Sequence, residues 1–139
     1  MVWATACFFA LAAAAPVVVM VDKPVTAAVE APARVRHAKI VFLRMEGVIV
    51  RRNAPAVWNV FWDLPEANAA TSVDDIHFAG YLTSLPNSAL RDPHPANFTL
   101  ELPAAAVAKL QRQGVMRFTF VPVKKLPDGG VTITALRLD

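Results

Sequence analysis

Residues 56–67 read AVWNVFWDLPEA. Two of the chain's three tryptophans and a phenylalanine fall between positions 58 and 62, and Leu64-Pro65 then stops the run. Alternate residues of a strand lie on one face, so Trp58, Val60 and Trp62 share one side and Asn59 and Phe61 the other. Tryptophans flanking a valine on one face form the pattern of a packed interior. A sugar-stacking platform would need both indoles in water. Val57–Trp62 is therefore read as a core strand, and Leu-Pro-Glu as its exit into a polar loop over 66–75.

Working outward from that strand, turn signals recur at short intervals on both sides, the spacing of an all-β sandwich or barrel. Residues 17–21 and 25–30 read as strands around Asp22-Lys23-Pro24, where proline favours an edge or a bend. Lys39–Val50 is a longer strand with Gly47 as a bulge or bend. Ile76–Leu85 is a further strand containing Gly80. Residues 86–96, PNSALRDPHPA, form a loop, and Asn97–Leu102 alternates Phe98, Leu100 and Leu102 with polar partners. A short helix is expected over about 103–113, with Pro103 at its start, good helix formers within and Gly114 as its C-cap. Val115–Val123 and Gly130–Leu138 read as a hairpin joined through KKLPDGG, because Asp-Gly is the favoured hairpin dipeptide.

The composition suits one domain with a real core. The chain has 139 residues, 55% of them hydrophobic and only 18% charged. Such a low charge content argues against disorder. The net charge of +3 is spread thinly. Arg34, Arg36, Lys39, Arg44, Arg51 and Arg52 alternate with apolar residues, the pattern of a solvated strand face, and no aromatic-plus-basic motif accompanies them. Nucleic acid is therefore not an expected partner. Cys7 is the single cysteine, so neither an intrachain disulfide nor a cysteine metal cluster can form. Residues 1–15 are apolar and uncharged, with small residues at 12–15, but lack a basic leader region. They read as a secretory signal, a membrane anchor or a linker, and residues 16–139 as the folded domain. Export is expected if 1–15 is a signal.

Catalytic motifs are missing: there is no G-x-S-x-G, P-loop, H-E-x-x-H or G-x-G-x-x-G. Asp74-Asp75 lie among small residues and read as turn formers. His77 follows them and reads as a structural or surface histidine, as does His94 in its proline-rich loop. Asn97-Phe98-Thr99 matches the N-glycosylation sequon, which matters only in a eukaryotic secretory setting. A binding or structural β-domain, with no small-molecule substrate of its own, fits better than an enzyme.

The order of these elements resembles the C-terminal domain of plant-type polyphenol oxidases, the catechol oxidase and tyrosinase family. The family's Lys-Phe-Asp-Val-Phe/Tyr core strand is matched by Val57-Trp58-Asn59-Val60-Phe61, with Asn59 in place of its Asp and Trp58 in place of its Phe. Its Leu-Asp-Lys-Pro-Ile-Ser-Val-Val-Val strand is matched by Val21-Asp22-Lys23-Pro24-Val25-Thr26-Ala27-Ala28-Val29. A basic linker follows at Ala33-Arg34-Val35-Arg36, and Glu46-Gly47-Val48 matches a strand ending in Glu-Gly-Ile. Phe78-Ala79-Gly80-Tyr81-Leu82-Thr83-Ser84-Leu85-Pro86 matches Phe-Ala-Gly-Ser-Phe-x-x-Val-Pro, with Asn87 where the family has His. Val131-Thr132-Ile133 opens a matching C-terminal ending.

The resemblance spans roughly residues 16–139. It implies a jelly-roll β-sandwich that covers the dicopper site of an oxidase and keeps it latent, with a side chain standing in for the substrate. Tyr81 and Leu82 are the candidates for that side chain, and Leu85 joins them as a docking candidate. The chain is not expected to hold copper or any other cofactor itself. A coupled dicopper centre takes three imidazoles on each metal, and the chain has His37, His77 and His94 alone, scattered singly. The copper and the catalysis would belong to a tyrosinase-like partner, in the same or an adjacent chain. Two other readings stay open: a secreted β-sandwich that binds carbohydrate or protein through Trp58 and Trp62, and a small copper carrier using the histidines and methionines.

Overall fold

The computed structural model describes residues 18–20, 23–50, 56–84, 95–123 and 131–139. In chain order they form β1 (Val18–Met20), β2 (Val25–Glu30), a 3-10 helix (Ala33–His37), β3 (Phe42–Val50), β4 (Ala56–Trp62), β5 (Phe78–Ser84), β6 (Ala96–Glu101), α1 (Ala104–Gln113), β7 (Val115–Pro122), β8 (Val131–Ile133) and β9 (Ala135–Leu138). Their pairing is nested and antiparallel: β1 with β8, β2 with β7, β3 with β6, β4 with β5. Cross-pairs then join the nest into two sheets, β1-β8-β3-β6 with β9 also on β3, and β2-β7-β4-β5. That strand order is a jelly roll, and the fold is an all-β sandwich with one short helix.

The nest overturns one expectation. Val115–Val123 and Gly130–Leu138 do not pair as a hairpin. β7 lies between β2 and β4 in one sheet, while β8 and β9 lie on β3 in the other. Burial explains the choice. β7 is buried at every position from Phe118 to Pro122, so its backbone groups lie away from water along both edges and need a paired strand on each side, which a central place supplies. The linking residues 124–130, with their Asp-Gly, lie outside the described residues, as do residues 1–17, 85–94, Leu85 and Cys7. Two further readings also shift. β5 begins at Phe78, leaving Ile76 at 78% exposure, and the segment 33–37 read as a basic linker is a 3-10 helix that buries Val35 alone.

The core lies between the sheets. Register places Leu82, Trp58 and Pro122 in one inward row and Val60 beside Phe120 in the next. Trp58, Val60, Leu82, Phe118 and Phe120 are all at most 1% exposed. Each large apolar side chain so buried contributes roughly 1.5–3 kcal/mol. α1 closes one end of the sandwich through Ala106, Val107 and Leu110, one helical stripe. It starts after Pro103 and ends where Gly114 turns left-handed (φ +73°) and returns its N–H to the Leu110 carbonyl at 2.7 Å. Among the described residues no helix is long and apolar enough to cross a membrane.

β3 and the β8–β9 strand kink together. The register of β3 slips between Met45 and Val48, and Gly47 takes φ +60°. Opposite it, Thr134 separates β8 from β9, donates its N–H to the Glu46 carbonyl at 2.9 Å and its Oγ1 to the Gly47 carbonyl at 3.1 Å. Asn97 Oδ1, from β6, accepts the Gly47 N–H at 3.0 Å. The asparagine of the sequon thus ties down the bulge.

Candidate functional site

The outer face of the β2-β7-β4-β5 sheet carries the candidate residues. Its rows follow from register. Tyr81 pairs with Asn59, which pairs with Val121; Thr83 pairs with Val57, whose carbonyl accepts the Val123 N–H at 2.9 Å. Phe61 pairs with both Phe78 and Thr119. One end of this face is covered. Leu64, Ala67 and Phe78 pack on Phe61 and Val121 in a second, smaller core. The cover is the loop 63–77, a compact surface loop whose ends meet: Trp62 N–H donates to the His77 carbonyl at 2.8 Å.

The loop is built from tight turns. Asn68 accepts at Oδ1 from Ala70 N–H and at its carbonyl from Thr71 N–H; Ser72 Oγ accepts from Asp74 N–H. Asp74 and Asp75 are turn residues, as their composition indicates. Asp75 Oδ1 accepts the His77 N–H at 2.8 Å and also lies 2.8 Å from His77 Nδ1. The backbone hydrogen bond from His77 comes first in holding the Asp75 carboxyl below its ordinary range, followed by the ring hydrogen bond. The His77 ring rests tilted on Trp62, centroids 4.9 Å apart. At the other end Asp63, left-handed at φ +49°, pairs with Lys109 of α1 and with Arg117 of β7. The loop is thereby pinned to helix and sheet.

Beyond the loop the face is open. Tyr81 is 53% exposed and Val123 49%. Phe78 joins the covered and open parts. Its ring meets Phe61 edge-on at 5.6 Å and Tyr81 edge-on at 5.0 Å, so the phenol is oriented by a chain of aromatic contacts. Tyr81 thus stands at the boundary between a packed cluster and a strip formed by half-buried Val57 and exposed Thr83 and Val123.

The other candidates fare differently. Leu82 is 1% exposed, opposite Trp58 in the core. Strand alternation points it inward wherever Tyr81 points out, so Leu82 cannot reach a partner without unfolding. Leu85 lies outside the described residues. Trp58 and Trp62, at 1% and 5% exposure, are core residues as read, so neither indole is available to stack on a sugar. Val60 is core, Val57 and Asn59 are half-buried on the outer face, and Phe61 lies under the loop. The sequence reading missed Phe78, Val123 and the covering role of the loop. A signal was there: Phe61 and Val121 make their strands apolar on both faces, so something must cover the outer one. Among the described residues no cluster of histidine, cysteine or carboxylate side chains is placed to hold a metal ion.

Compared by sequence, the chain matches no family profile and no curated protein. Compared by structure, it superposes on latent apple tyrosinase with a TM-score of 0.64 at 19% identity, covering 88% of this chain and 27% of that one. It superposes equally, at 0.64, on recombinant latent aurone synthase, a polyphenol oxidase, at 12% identity, with 86% and 24% covered. The same enzyme from its natural source gives 0.64 at 15% identity, with 86% and 25% covered. The chain therefore has the fold of one region of latent plant polyphenol oxidases and spans about a quarter of their length. The resemblance read from the sequence and the likeness of fold point to the same proteins.

Proposed function

We propose that this chain is a shielding domain, without catalysis of its own, that covers the dicopper site of a tyrosinase-like oxidase and keeps it latent. The oxidase would be a domain of the same polypeptide or an adjacent chain, and the copper would belong to it. The observation that carries the reading is Tyr81: an oriented, half-exposed phenol beside a largely apolar strip, on a fold that latent polyphenol oxidases also contain. A half-exposed phenol held by its own Phe78 contact has the shape and chemistry of a monophenol substrate. Val57, Thr83 and Val123 would supply the surrounding contact, and a stable dock needs about 1,000 Å² of buried surface in total. Burial of Leu82 and exposure of Tyr81 support Tyr81 over Leu82 as the stand-in.

The test is to add the isolated chain to a tyrosinase-like oxidase freed of its own shield and follow diphenol oxidation. Inhibition by the wild-type chain, weakened by Tyr81→Ala with its fold intact, is expected. Unchanged oxidation together with no complex on gel filtration would sink the reading.

A further inference from the structure

A second surface lies away from Tyr81, between the 3-10 helix and α1. It is a shallow cleft of about 420 Å³. Arg36, His37 and Lys39 line one wall; Ala104, Val107 and Ala108, one turn-spaced stripe of α1, line the other. Gln111 fixes the two walls together by donating from Nε2 to the Ala38 carbonyl at 2.7 Å. The wall opposite the cations is apolar and made of small side chains, and the Gln111 bond links it to the cationic wall.

Several cations of the described surface are paired with carboxylates. Arg34 and Arg44 share Asp139, Lys109 and Arg117 share Asp63, and Arg137 pairs with Glu46. Arg36 and Lys39, like Lys23 and Arg112 elsewhere, have no carboxylate within salt-bridge distance among the described residues; only Arg36 and Lys39 line this cleft. The chain running out of the cleft then exposes two large apolar side chains, Ile40 at 57% and Phe42 at 36%. Unpaired cations beside exposed apolar side chains and a small-residue wall are the composition of a protein-binding surface rather than of a pocket for an inorganic ion.

We infer that this cleft docks an acidic peptide segment, with carboxylates on Arg36 and Lys39 and an apolar side chain on Ile40. The apolar wall is too small to hold a ligand alone, so the affinity rests on charge, and more than one carboxylate is needed. The site is separate from the Tyr81 face and stands whether or not that face covers an oxidase.

The test uses a fluorescein-labelled peptide of alternating Glu and Leu, read by anisotropy against the full chain. Binding that weakens with added salt is expected. The Arg36→Ala/Lys39→Ala variant should weaken it by about tenfold, two exposed charge contacts being worth roughly 1.4 kcal/mol together. Arg36→Lys/Lys39→Arg should retain most of it, and Ile40→Ser should weaken it with charge unchanged. Unchanged melting temperatures would show that the variants fold. Equal affinity for the Gln-for-Glu peptide, no loss in the double alanine variant, no binding at all, or displacement by free glutamate or phosphate at the peptide's own concentration would each overturn the proposal.

Discussion

Gly47→Ala tests the coupled kink of β3 and the β8–β9 strand. At φ +60° an alanine is disfavoured by about 1–2 kcal/mol relative to its preferred region. Space adds a second cost. A Cβ on Gly47 would lie 2.5 Å from Thr134 Oγ1 and 2.8 Å from Thr134 Cβ, both impossible contacts. Thr134 cannot simply rotate away, because its Oγ1 is donated to the Gly47 carbonyl and its N–H to the Glu46 carbonyl. Moving it breaks at least one hydrogen bond, worth about 1 kcal/mol. The expected loss is about 2–4 kcal/mol, large against a typical total of about 5–15 kcal/mol. Urea unfolding followed by tryptophan fluorescence measures it. A double-mutant cycle with Thr134→Gly separates the two costs: the second change removes both close contacts, so the pair should show a coupling of about 1 kcal/mol or more, leaving the backbone cost in place. A loss below about 0.5 kcal/mol, or strict additivity, would refute the idea that the two kinks are locked to each other.

Three further outcomes follow from the same structure. Leu82→Ala should cost about 2–5 kcal/mol on thermal or urea unfolding, and Tyr81→Ala well under half as much, because one side chain is core and the other open. In a Trp3→Phe background, iodide should quench the remaining fluorescence weakly, since Trp58 and Trp62 are both buried; ready quenching would contradict the core strand. Asp75, whose folded-state carboxyl titrates low, stabilises the protein fully above the ordinary carboxylate range and loses that contribution as the pH falls through its lowered value. Asp75→Asn should therefore lower the urea midpoint near pH 6 and converge with wild type at the acid end, whereas a constant offset across pH would assign the effect to something other than ionisation.

Local signals proved readable where neighbours along the chain decide the outcome. Alternation around Val60 placed both tryptophans inside, and Pro103 and Gly114 bracketed α1. Pairing was less legible. Asp128-Gly129 promised a hairpin, but whether two successive strands pair depends on which other strands take their buried backbone edges, and that is a property of the whole nest. The loop 63–77 hid for a different reason: its composition is that of any polar connection, and its apolar cover over Phe61 and Val121 comes from just Leu64 and Ala67. The 3-10 helix buries one residue in five, too little for any periodicity to show. The Tyr81 site was half visible. Motif order singled out the stretch 81–85, but alternation alone separates Tyr81 from Leu82, and the Phe78 contact that orients the phenol spans a bulge no spacing rule anticipates.

The nested pairing carries a consequence for how the domain comes apart. Strands 4 and 5 meet across one loop, whereas Val18 meets Ile133 across almost the whole chain. Each outer pair is worth closing only after the pair inside it has shortened the loop it must span. The outermost pair is also the thinnest, three residues against three. Loosening is therefore expected to run from the rim inward, like a drawstring undone from its tied end. A nick or pull near β1 would slacken the rim while the Tyr81 face, which sits on the innermost pair, stays assembled.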